Sequence, residues 1–382
     1  MKIAILKENK NEYRVSLTPI DAKTLVASKH EVIITKNAGT ASGYSDREYL
    51  DVGVKVVATN KEAIGNSNVV VKLSQPTNGE LNEITPRQLL ISLFNLPNNP
   101  KVLRGLLKNK ITALGIEAFQ ENGTFTLLIP NEQIKGRFGA LLGAYNLAKF
   151  HKNSLGKTFS PIAHNKERAH FTILNASYSG LEAARTILAL GGDLTVLEND
   201  EHLAKQVKDD NHLITLAKLH HSKFEVIKAD FTDLSKQVSI TDVLINTNSL
   251  PGSLTSKRIT ERMISTMRAG SVFVDLAIDQ GFGSDTEKQT TSFAKPSFLA
   301  DGVIHFALEN IPSLFANSIT VAISTILTEK LFKVLSGENP MSIVKDHKIL
   351  LESIMTYDGN LTNKIAADSL HLQYKTISSL LK

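Results

Sequence analysis

The 382-residue sequence contains no cysteine and no tryptophan. Without cysteine the chain cannot form disulfide bonds, use a thiolate nucleophile or bind zinc, iron–sulfur clusters or haem through thiolates, and this composition agrees with a reducing compartment. The first residues also lack an apolar stretch as long as that of a signal peptide. The sequence has no run of about 18 uncharged apolar residues, the length that a membrane-spanning helix needs. These absences predict a cytoplasmic protein with no membrane segment.

A concentration of one charge is missing as well. The 43 basic and 38 acidic side chains leave a net charge of +5, which is spread thinly along the chain. This distribution argues only weakly for an anionic ligand and hardly at all for a nucleic-acid partner, so no nucleic acid is predicted. Apolar residues make up 42% of a chain that is longer than one hydrophobic core usually organises, so we expect two domains.

Two series of alternating strands and helices occupy most of the sequence. Short apolar runs such as KIAIL, EVIIT and NVVVKL alternate with segments of helical periodicity, and a similar series begins near residue 170. This pattern is typical of βαβ units and parallel sheets. The predicted fold class is therefore α/β, with two Rossmann-like, doubly wound domains joined by long helices.

A long helix is predicted from Pro130 to about His151, between the two series. Small residues lie along one side of it, where they would let another helix approach closely, in this chain or in a second subunit. These residues are Gly136, Gly139, Ala140, Gly143 and Ala144.

The segment NASYSG, residues 175–180, lies between a predicted strand and helix, where dinucleotide-binding domains carry GxGxxG. Only the third glycine, Gly180, is present. Asn175 replaces the first, and asparagine accepts the left-handed backbone that this turn needs. Ser177 replaces the second, where its side chain either crowds a phosphate or donates a hydrogen bond to it. Glu198 ends the next strand and suits the ribose hydroxyls, so NAD is the predicted cofactor; a dinucleotide fold with a decayed site is the alternative.

Seven stretches match one family in the family's order: KENKNEYRVSLTP, VVVKLSQP, PNEQIKGRFGALLGAYNL, LPGS, SVFVDLAIDQG, NIPS and YDGNLTNKIAADSL. With them the sequence resembles the alanine dehydrogenase and nicotinamide nucleotide transhydrogenase alpha-subunit family, closest to alanine dehydrogenase. The resemblance implies a discontinuous substrate domain, residues 1–128 plus 309–382, and an NAD-binding domain, residues 129–308. It also implies NAD-dependent oxidation of L-alanine to pyruvate and ammonia by a homo-oligomer, in this family a homo-hexamer.

The resemblance assigns roles to four side chains. Arg14 would bind the substrate carboxylate, and Lys72 would contact the substrate near its carbonyl or carboxylate. Asp279 would lie near the nicotinamide and assist proton movement, and Asn310 would lie close to the nicotinamide end of the cofactor. Taken alone, each has an ordinary explanation as a solvated base, a helix cap or a turn residue.

Asn95 is the main departure from the family, whose dehydrogenases have a histidine general acid and base at this position. An asparagine can orient a substrate oxygen, but it carries no proton that titrates near neutral pH. Two alternatives to alanine dehydrogenase therefore stay open: an amino acid oxidoreductase with another substrate, and a non-catalytic homologue. The histidines show no spacing typical of a metal site, so no metal is predicted.

Overall fold

The computed structural model describes residues 1–150, 152–228, 231–248, 250–254, 259–335 and 339–381. Its strands, in chain order, are β1 (Lys2–Ile5), β2 (Glu31–Thr35), β3 (Lys55–Val57), β4 (Val69–Val71), β5 (Leu89–Ser92), β6 (Thr112–Gly115), β7 (His170–Leu174), β8 (Asp193–Leu197), β9 (Phe224–Ile227), β10 (Val243–Asn246), β11 (Val272–Asp275), β12 (Phe298–Ala300), β13 (Val303–Phe306), β14 (Ile354–Tyr357) and β15 (Asn360–Leu361).

The α-helices are α1 (Pro19–Ala27), α2 (Asp46–Asp51), α3 (Asn60–Gly65), α4 (Asn78–Glu83), α5 (Pro100–Lys108), α6 (Ile129–Asn146), α7 (Tyr178–Ala189), α8 (Glu201–Lys208), α9 (Asn211–His220), α10 (Phe231–Ile240), α11 (Glu261–Thr266), α12 (Ala316–Leu327), α13 (Pro340–Asp346), α14 (Lys348–Glu352), α15 (Lys364–Leu370) and α16 (Ile377–Leu380). Side-chain caps fix many of their starts. The Thr77 hydroxyl, for example, accepts the Glu80 N–H, and the Glu80 carboxylate accepts the Thr77 N–H, which together form a capping box on α4.

The chain divides into two compact units. Unit 1 comprises Met1–Pro130, Pro251–Leu254 and Pro312–Lys382, and unit 2 comprises Asn131–Leu250 and Thr255–Ile311. Unit 1 is therefore discontinuous in sequence, with both segments of unit 2 inserted between its first and last segments. Its middle segment, residues 251–254, has no counterpart in the boundaries expected from the sequence.

Unit 1 is built on an eight-stranded sheet with the order β15-β14-β6-β5-β4-β1-β2-β3. The strands from β6 to β3 along this order are parallel, while β14 is antiparallel to both β6 and β15. The central strands are buried on both faces, as continuous apolar runs such as Val69–Val71 predict. In such a sheet the carboxyl ends of the parallel strands share one edge, where ligands usually bind.

Unit 2 contains a seven-stranded sheet with the order β12-β13-β11-β10-β7-β8-β9. All of its pairings are parallel except β12 with β13. The order reverses direction around β7, the strand that leads into the NASYSG turn. The prediction of an α/β protein with two Rossmann-like, doubly wound domains is confirmed.

The small residues of α6 face elements of unit 2 itself. A Cβ atom added to Gly136 would lie 2.1 Å from the carbonyl oxygen of Ser179 in α7, and one added to Gly139 would lie 2.7 Å from Leu276. Such distances are too short for any side chain, so both glycines allow α6 to lie directly against its neighbours. The helix ends at Asn146, before the predicted end near His151, which lies outside the described residues. After it the chain turns back, and Gly156 N–H donates to the Leu147 carbonyl.

One helical stretch in the described residues, Ile311–Phe332, is long and apolar enough to cross a membrane by length and composition. Of its most apolar window, 56% is buried inside the protein. Core helices of soluble proteins pass the same test, so length and composition alone do not identify this stretch as a membrane span.

Candidate functional site

The sequence-predicted residues divide between the two units. Arg14, Lys72 and Asn95 belong to unit 1. The others, Asn175, Ser177, Gly180, Glu198, Asp279 and Asn310, belong to unit 2. Each set is described below within its own unit.

Arg14 lies in the loop that follows β1, and its side chain is almost completely buried. Its Nε donates to Glu12 Oε1 at 2.7 Å, and its Nη2 donates to Glu12 Oε2 at 2.5 Å. This bidentate pair fixes the plane of the guanidinium group. A substrate carboxylate would therefore meet an arginine that is already oriented and that has one edge occupied by Glu12.

Lys72 directly follows β4 and is also buried, with 1% of its surface exposed. Its ammonium group lies 2.8 and 2.7 Å from the two Glu80 oxygens and 2.7 Å from Asn9 Oδ1. Burial raises the pKa of Glu80, but the hydrogen bond and charge of Lys72 outweigh it and hold this pKa below its usual value. An ammonium group has three donors, so Lys72 can bind a substrate only by releasing one of these acceptors.

Asn95 lies beyond the end of β5 in the left-handed conformation, with φ 44° and ψ 53°. Its backbone N–H and that of Phe94 both donate to Glu117 Oε1, at 2.8 and 3.0 Å. Burial raises the pKa of the Glu117 carboxyl to about 7. Glu117 was not predictable from the sequence, because it binds the backbone of a loop that lies more than twenty residues earlier in the chain.

Glu8 is a second acid near these residues that the sequence did not indicate. Its carboxylate accepts the backbone N–H groups of Leu73 and Ser74 at 2.7 and 2.8 Å, immediately beyond Lys72. Burial and the negative charge of Glu12 raise the pKa of Glu8 to about 7. Glu8 and Glu117 are thus two carboxyl groups of unit 1 that titrate near neutral pH, the range in which Asn95 offers no proton.

In unit 2, the NASYSG turn has the backbone shape of a dinucleotide-binding turn. Asn175 adopts φ 77°, the left-handed conformation that a glycine usually supplies. A Cβ atom on Gly180 would lie 2.3 Å from the Asn175 carbonyl oxygen, so the third glycine is sterically required. Both features match the expectations for these two positions in the sequence.

Ser177 is the N-cap residue of α7. Its hydroxyl accepts the Gly180 N–H at 3.3 Å and donates to the Thr247 carbonyl oxygen at 3.1 Å. A hydroxyl has a single proton to donate; when Ser177 donates it to the Thr247 carbonyl oxygen, the Ser179 hydroxyl, 3.1 Å away, is the donor to Ser177. The side chain therefore lies at the helix N-terminus, where dinucleotide-binding proteins place the pyrophosphate.

Glu198 follows the last residue of β8 and is buried, with 4% of its surface exposed. Its Oε2 accepts the Ala176 N–H at 2.7 Å, and its Oε1 accepts the Asp200 N–H at 2.9 Å. The carboxylate is thus fixed between the turn and the start of α8. Each carboxylate oxygen keeps further acceptor capacity, which is what binding of ribose hydroxyls requires.

Asp279 lies in a 3-10 helix of one turn, Ile278–Gln280, beyond the end of β11. Its Oδ1 accepts the Asn310 N–H at 2.8 Å, and its Oδ2 lies 3.1 Å from the ammonium group of Lys135 in α6. The structure thus brings Asp279 and Asn310 together, as expected for residues assigned to one end of the cofactor. Lys135 was not predictable from the sequence, because its partner Asp279 is more than a hundred residues away in the chain.

Both domain models of one family match the sequence. The N-terminal domain of alanine dehydrogenase/PNT matches residues 4–134, and the C-terminal domain matches residues 139–364. The curated alanine dehydrogenases of Staphylococcus saprophyticus and Halomonas elongata are each 30% identical to the chain over the full length of both proteins. The chain belongs to the alanine dehydrogenase/PNT family.

Two solved structures share the fold of this chain. An L-alanine dehydrogenase superimposes with a TM-score of 0.83 at 24% identity and covers 97% of this chain and 99% of its own. A transhydrogenase from Sinorhizobium meliloti gives a TM-score of 0.73 at 19% identity, over 95% of this chain and 99% of its own. At these identities the likeness establishes the fold, which agrees with membership of the alanine dehydrogenase/PNT family.

Two observations test whether unit 2 of this family member fits a dinucleotide. The left-handed Asn175 and the sterically required Gly180 reproduce the turn, and Glu198 presents a fixed carboxylate beside it. The Ser177 side chain is the one feature of the turn that opposes the fit. In the described residues, no group of three or more His, Asp or Glu side chains is arranged to hold a metal ion.

Proposed function

We propose that this chain is an NAD-dependent amino acid oxidoreductase that converts L-alanine to pyruvate and ammonia and catalyses the reverse reaction. The observation that carries the proposal is the NASYSG turn, which keeps the dinucleotide-binding backbone although two glycines are replaced. The left-handed conformation of Asn175, which costs about 1 kcal/mol relative to an ordinary conformation, keeps the turn in the shape that a pyrophosphate would bind. The names of the curated relatives support alanine as the substrate.

In this proposal NAD would be held by the NASYSG turn, the N-terminus of α7 and Glu198, and it would supply the hydride acceptor. Glu198 would accept hydrogen bonds from the ribose hydroxyls, and its charge disfavours a 2′-phosphate, which selects NAD over NADP. Asn310 would lie beside the nicotinamide end, as its contact with Asp279 supports.

Arg14 and Lys72 would bind the amino acid. Glu12 fixes the guanidinium of Arg14, so that the arginine loses little side-chain entropy when it binds the substrate carboxylate. Lys72 would exchange its neutral acceptor, Asn9 Oδ1, for a substrate oxygen and keep its ion pair with Glu80. The charges of both bases would thus remain balanced whether or not a substrate is bound.

Proton transfer would fall to Asp279, because Asn95 has no titratable proton. Asp279 would accept a proton from an ordered water or from the substrate amine, while Asn95 would only orient a substrate oxygen. General acid–base catalysis typically contributes roughly 10² to 10⁴ in rate. We therefore expect a functional but slow enzyme.

The deciding experiment measures NADH binding by calorimetric titration and NAD reduction with L-alanine at several alkaline pH values. Saturable binding together with alanine-dependent reduction would support the proposal. Binding without alanine turnover, but with turnover of another amino acid, would replace alanine as the substrate. Failure to bind NADH would overturn the proposal in favour of a non-catalytic homologue.

Asn95→His tests the role of the missing base, with Asn95→Ala as the control. Histidine fits the left-handed backbone, since His164, His221 and His371 already adopt positive φ values in this chain. We expect Asn95→His to raise turnover at least tenfold and Asn95→Ala to leave it low. Equal turnover in the two variants would show that residue 95 does not limit the rate.

We further propose that the protein acts in the cytoplasm as a homo-oligomer, most simply the hexamer that the family resemblance implies. Size-exclusion chromatography with light scattering tests this directly. A monomer at micromolar concentration would contradict it.

A further inference from the structure

Lys135 is the feature of unit 2 that neither the sequence nor the proposed function assigned. It lies in the second turn of α6, and 12% of its side chain is exposed. Its ammonium group contacts two carboxylates, Asp279 Oδ2 at 3.1 Å and Glu132 Oε1 at 3.2 Å. Glu132 lies three residues earlier on the same helix, so it holds the lysine in the direction of Asp279.

The contact fixes Asp279 from a second side. Asn310 N–H binds Oδ1, while Lys135 binds Oδ2. These two donors come from parts of the chain that are far apart in sequence, α6 and the loop after β13. Because each oxygen has its own donor, the carboxylate cannot rotate about its last bond without losing a contact.

The charge of Lys135 is stable over the pH range of any assay. Burial lowers the pKa of Lys135, but the carboxylates of Glu132 and Asp279 outweigh it and raise this pKa above the usual lysine value. Burial, together with the negative charge of Asp279, also raises the pKa of a further acid, Glu309. Lys135 therefore keeps a positive charge between Glu132 and Asp279.

We propose that Lys135 is a positioning residue for the reaction, which acts by holding the Asp279 carboxylate in one orientation. The proposal rests on the proposed function, in which Asp279 accepts the proton because Asn95 cannot. When proton transfer depends on a single carboxylate, its orientation limits the rate, and a displacement of about 1 Å can cost roughly 10² in turnover. Lys135 does not need to touch the substrate for this effect.

The kinetic test compares Lys135→Met, Lys135→Arg and Lys157→Met. Lys157 is a matched control, because it pairs with Asp242 in the same unit at 2.6 Å and is similarly buried. We expect Lys135→Met to lower kcat by about 10- to 100-fold with the KM for alanine changed less than about threefold. Lys135→Arg should restore most of kcat, and Lys157→Met should lower thermal stability alone. Equal kcat losses in the two methionine variants would overturn the proposal, since they would reveal a merely structural role.

A double-mutant cycle separates this inference from the proposed function. The unfolding midpoints of Lys135→Met, Asp279→Asn and the double variant measure whether the two side chains interact, whatever the activity. A double variant that loses less stability than the sum of the single variants would support the contact, and strictly additive losses would overturn the inference. If the wild-type protein binds NADH but oxidises no amino acid, the proposed function fails, while the cycle still decides whether Lys135 holds Asp279.

Discussion

At the carboxyl edges of the two sheets, the predicted functional side chains are held in place by different kinds of partner. In unit 1 the predicted ligands are bases, and each is held by an acid: Arg14 by Glu12 and Lys72 by Glu80. Both ion pairs are buried, so the edge depends on charges that are balanced inside the protein. A buried pair adds little stability by itself, but loss of one partner leaves an uncompensated charge and costs about 3–5 kcal/mol.

In unit 2 the predicted ligands include acids, and backbone N–H groups bind each of them, joined at Asp279 by the ammonium group of Lys135. Glu198 accepts the N–H groups of Ala176 and Asp200, and Asp279 accepts that of Asn310. These contacts depend on the path of the chain, including the left-handed Asn175. The comparison shows why this edge can tolerate replacement of glycines: another residue type can supply the same backbone conformation. Position 95 differs, because there the expected function depends on the side chain. Histidine is the one residue type whose ordinary side-chain pKa lies near neutral pH.

The largest expected effect is the loss of a buried charge in unit 1. Lys72→Met would leave the Glu80 carboxylate buried without its cation, and we expect it to lower the free energy of unfolding by about 3 kcal/mol. Lys61→Met is the control, because Lys61 forms an exposed ion pair with Glu83 in the same unit at 2.7 Å and should cost less than about 1 kcal/mol. Urea denaturation measures both. Similar losses in the two variants would mean that the buried Lys72–Glu80 ion pair matters no more for stability than an exposed one.

A smaller effect is expected from a pair of buried acids in unit 2, Asp275 at the end of β11 and Glu287. The Glu287 carboxyl accepts the Gly283 and Ser284 N–H groups, each at 3.2 Å. Burial, together with the charge of Asp275, raises the pKa of Glu287 to about 10. The folded protein therefore keeps a proton that the unfolded chain loses above its ordinary pKa, so folding stability falls as pH rises through this window.

Glu287→Gln removes this pH dependence, because a glutamine is neutral at every pH and can accept the same two N–H groups. We expect the variant to gain about 1–2 kcal/mol over the wild-type protein when the free energies of unfolding in urea at pH 7 and pH 8 are compared. Glu261→Gln, at an exposed position in the first turn of α11, is the control. A difference between variant and wild type that is the same at both pH values would contradict a raised pKa of Glu287 in the folded protein.

The sequence predicted the architecture because its signals are local. Apolar runs such as Val69–Val71 and the left-handed tendency of Asn175 depend on a few neighbouring residues, and the structure confirms both. The polar partners were not predictable, since they join distant positions: Glu117 binds the Asn95 backbone, and Lys135 binds Asp279. The end of α6 was placed too late because periodicity does not register the chain reversal after Asn146.

The smallest expected effect distinguishes the two interpretations of Ser177. Its single hydroxyl proton is donated to Thr247, so the side chain has none to offer a phosphate and instead occupies space at the helix N-terminus. Ser177→Gly should raise the affinity for NADH by about threefold to tenfold in a calorimetric titration and cost only a few tenths of a kcal/mol in helix capping. Asn175→Gly is the control, since it changes the turn without opening this space. Weaker NADH binding by Ser177→Gly would mean that the hydroxyl turns away from Thr247 and donates to the cofactor, so that a side chain joins the backbone N–H groups in binding the pyrophosphate.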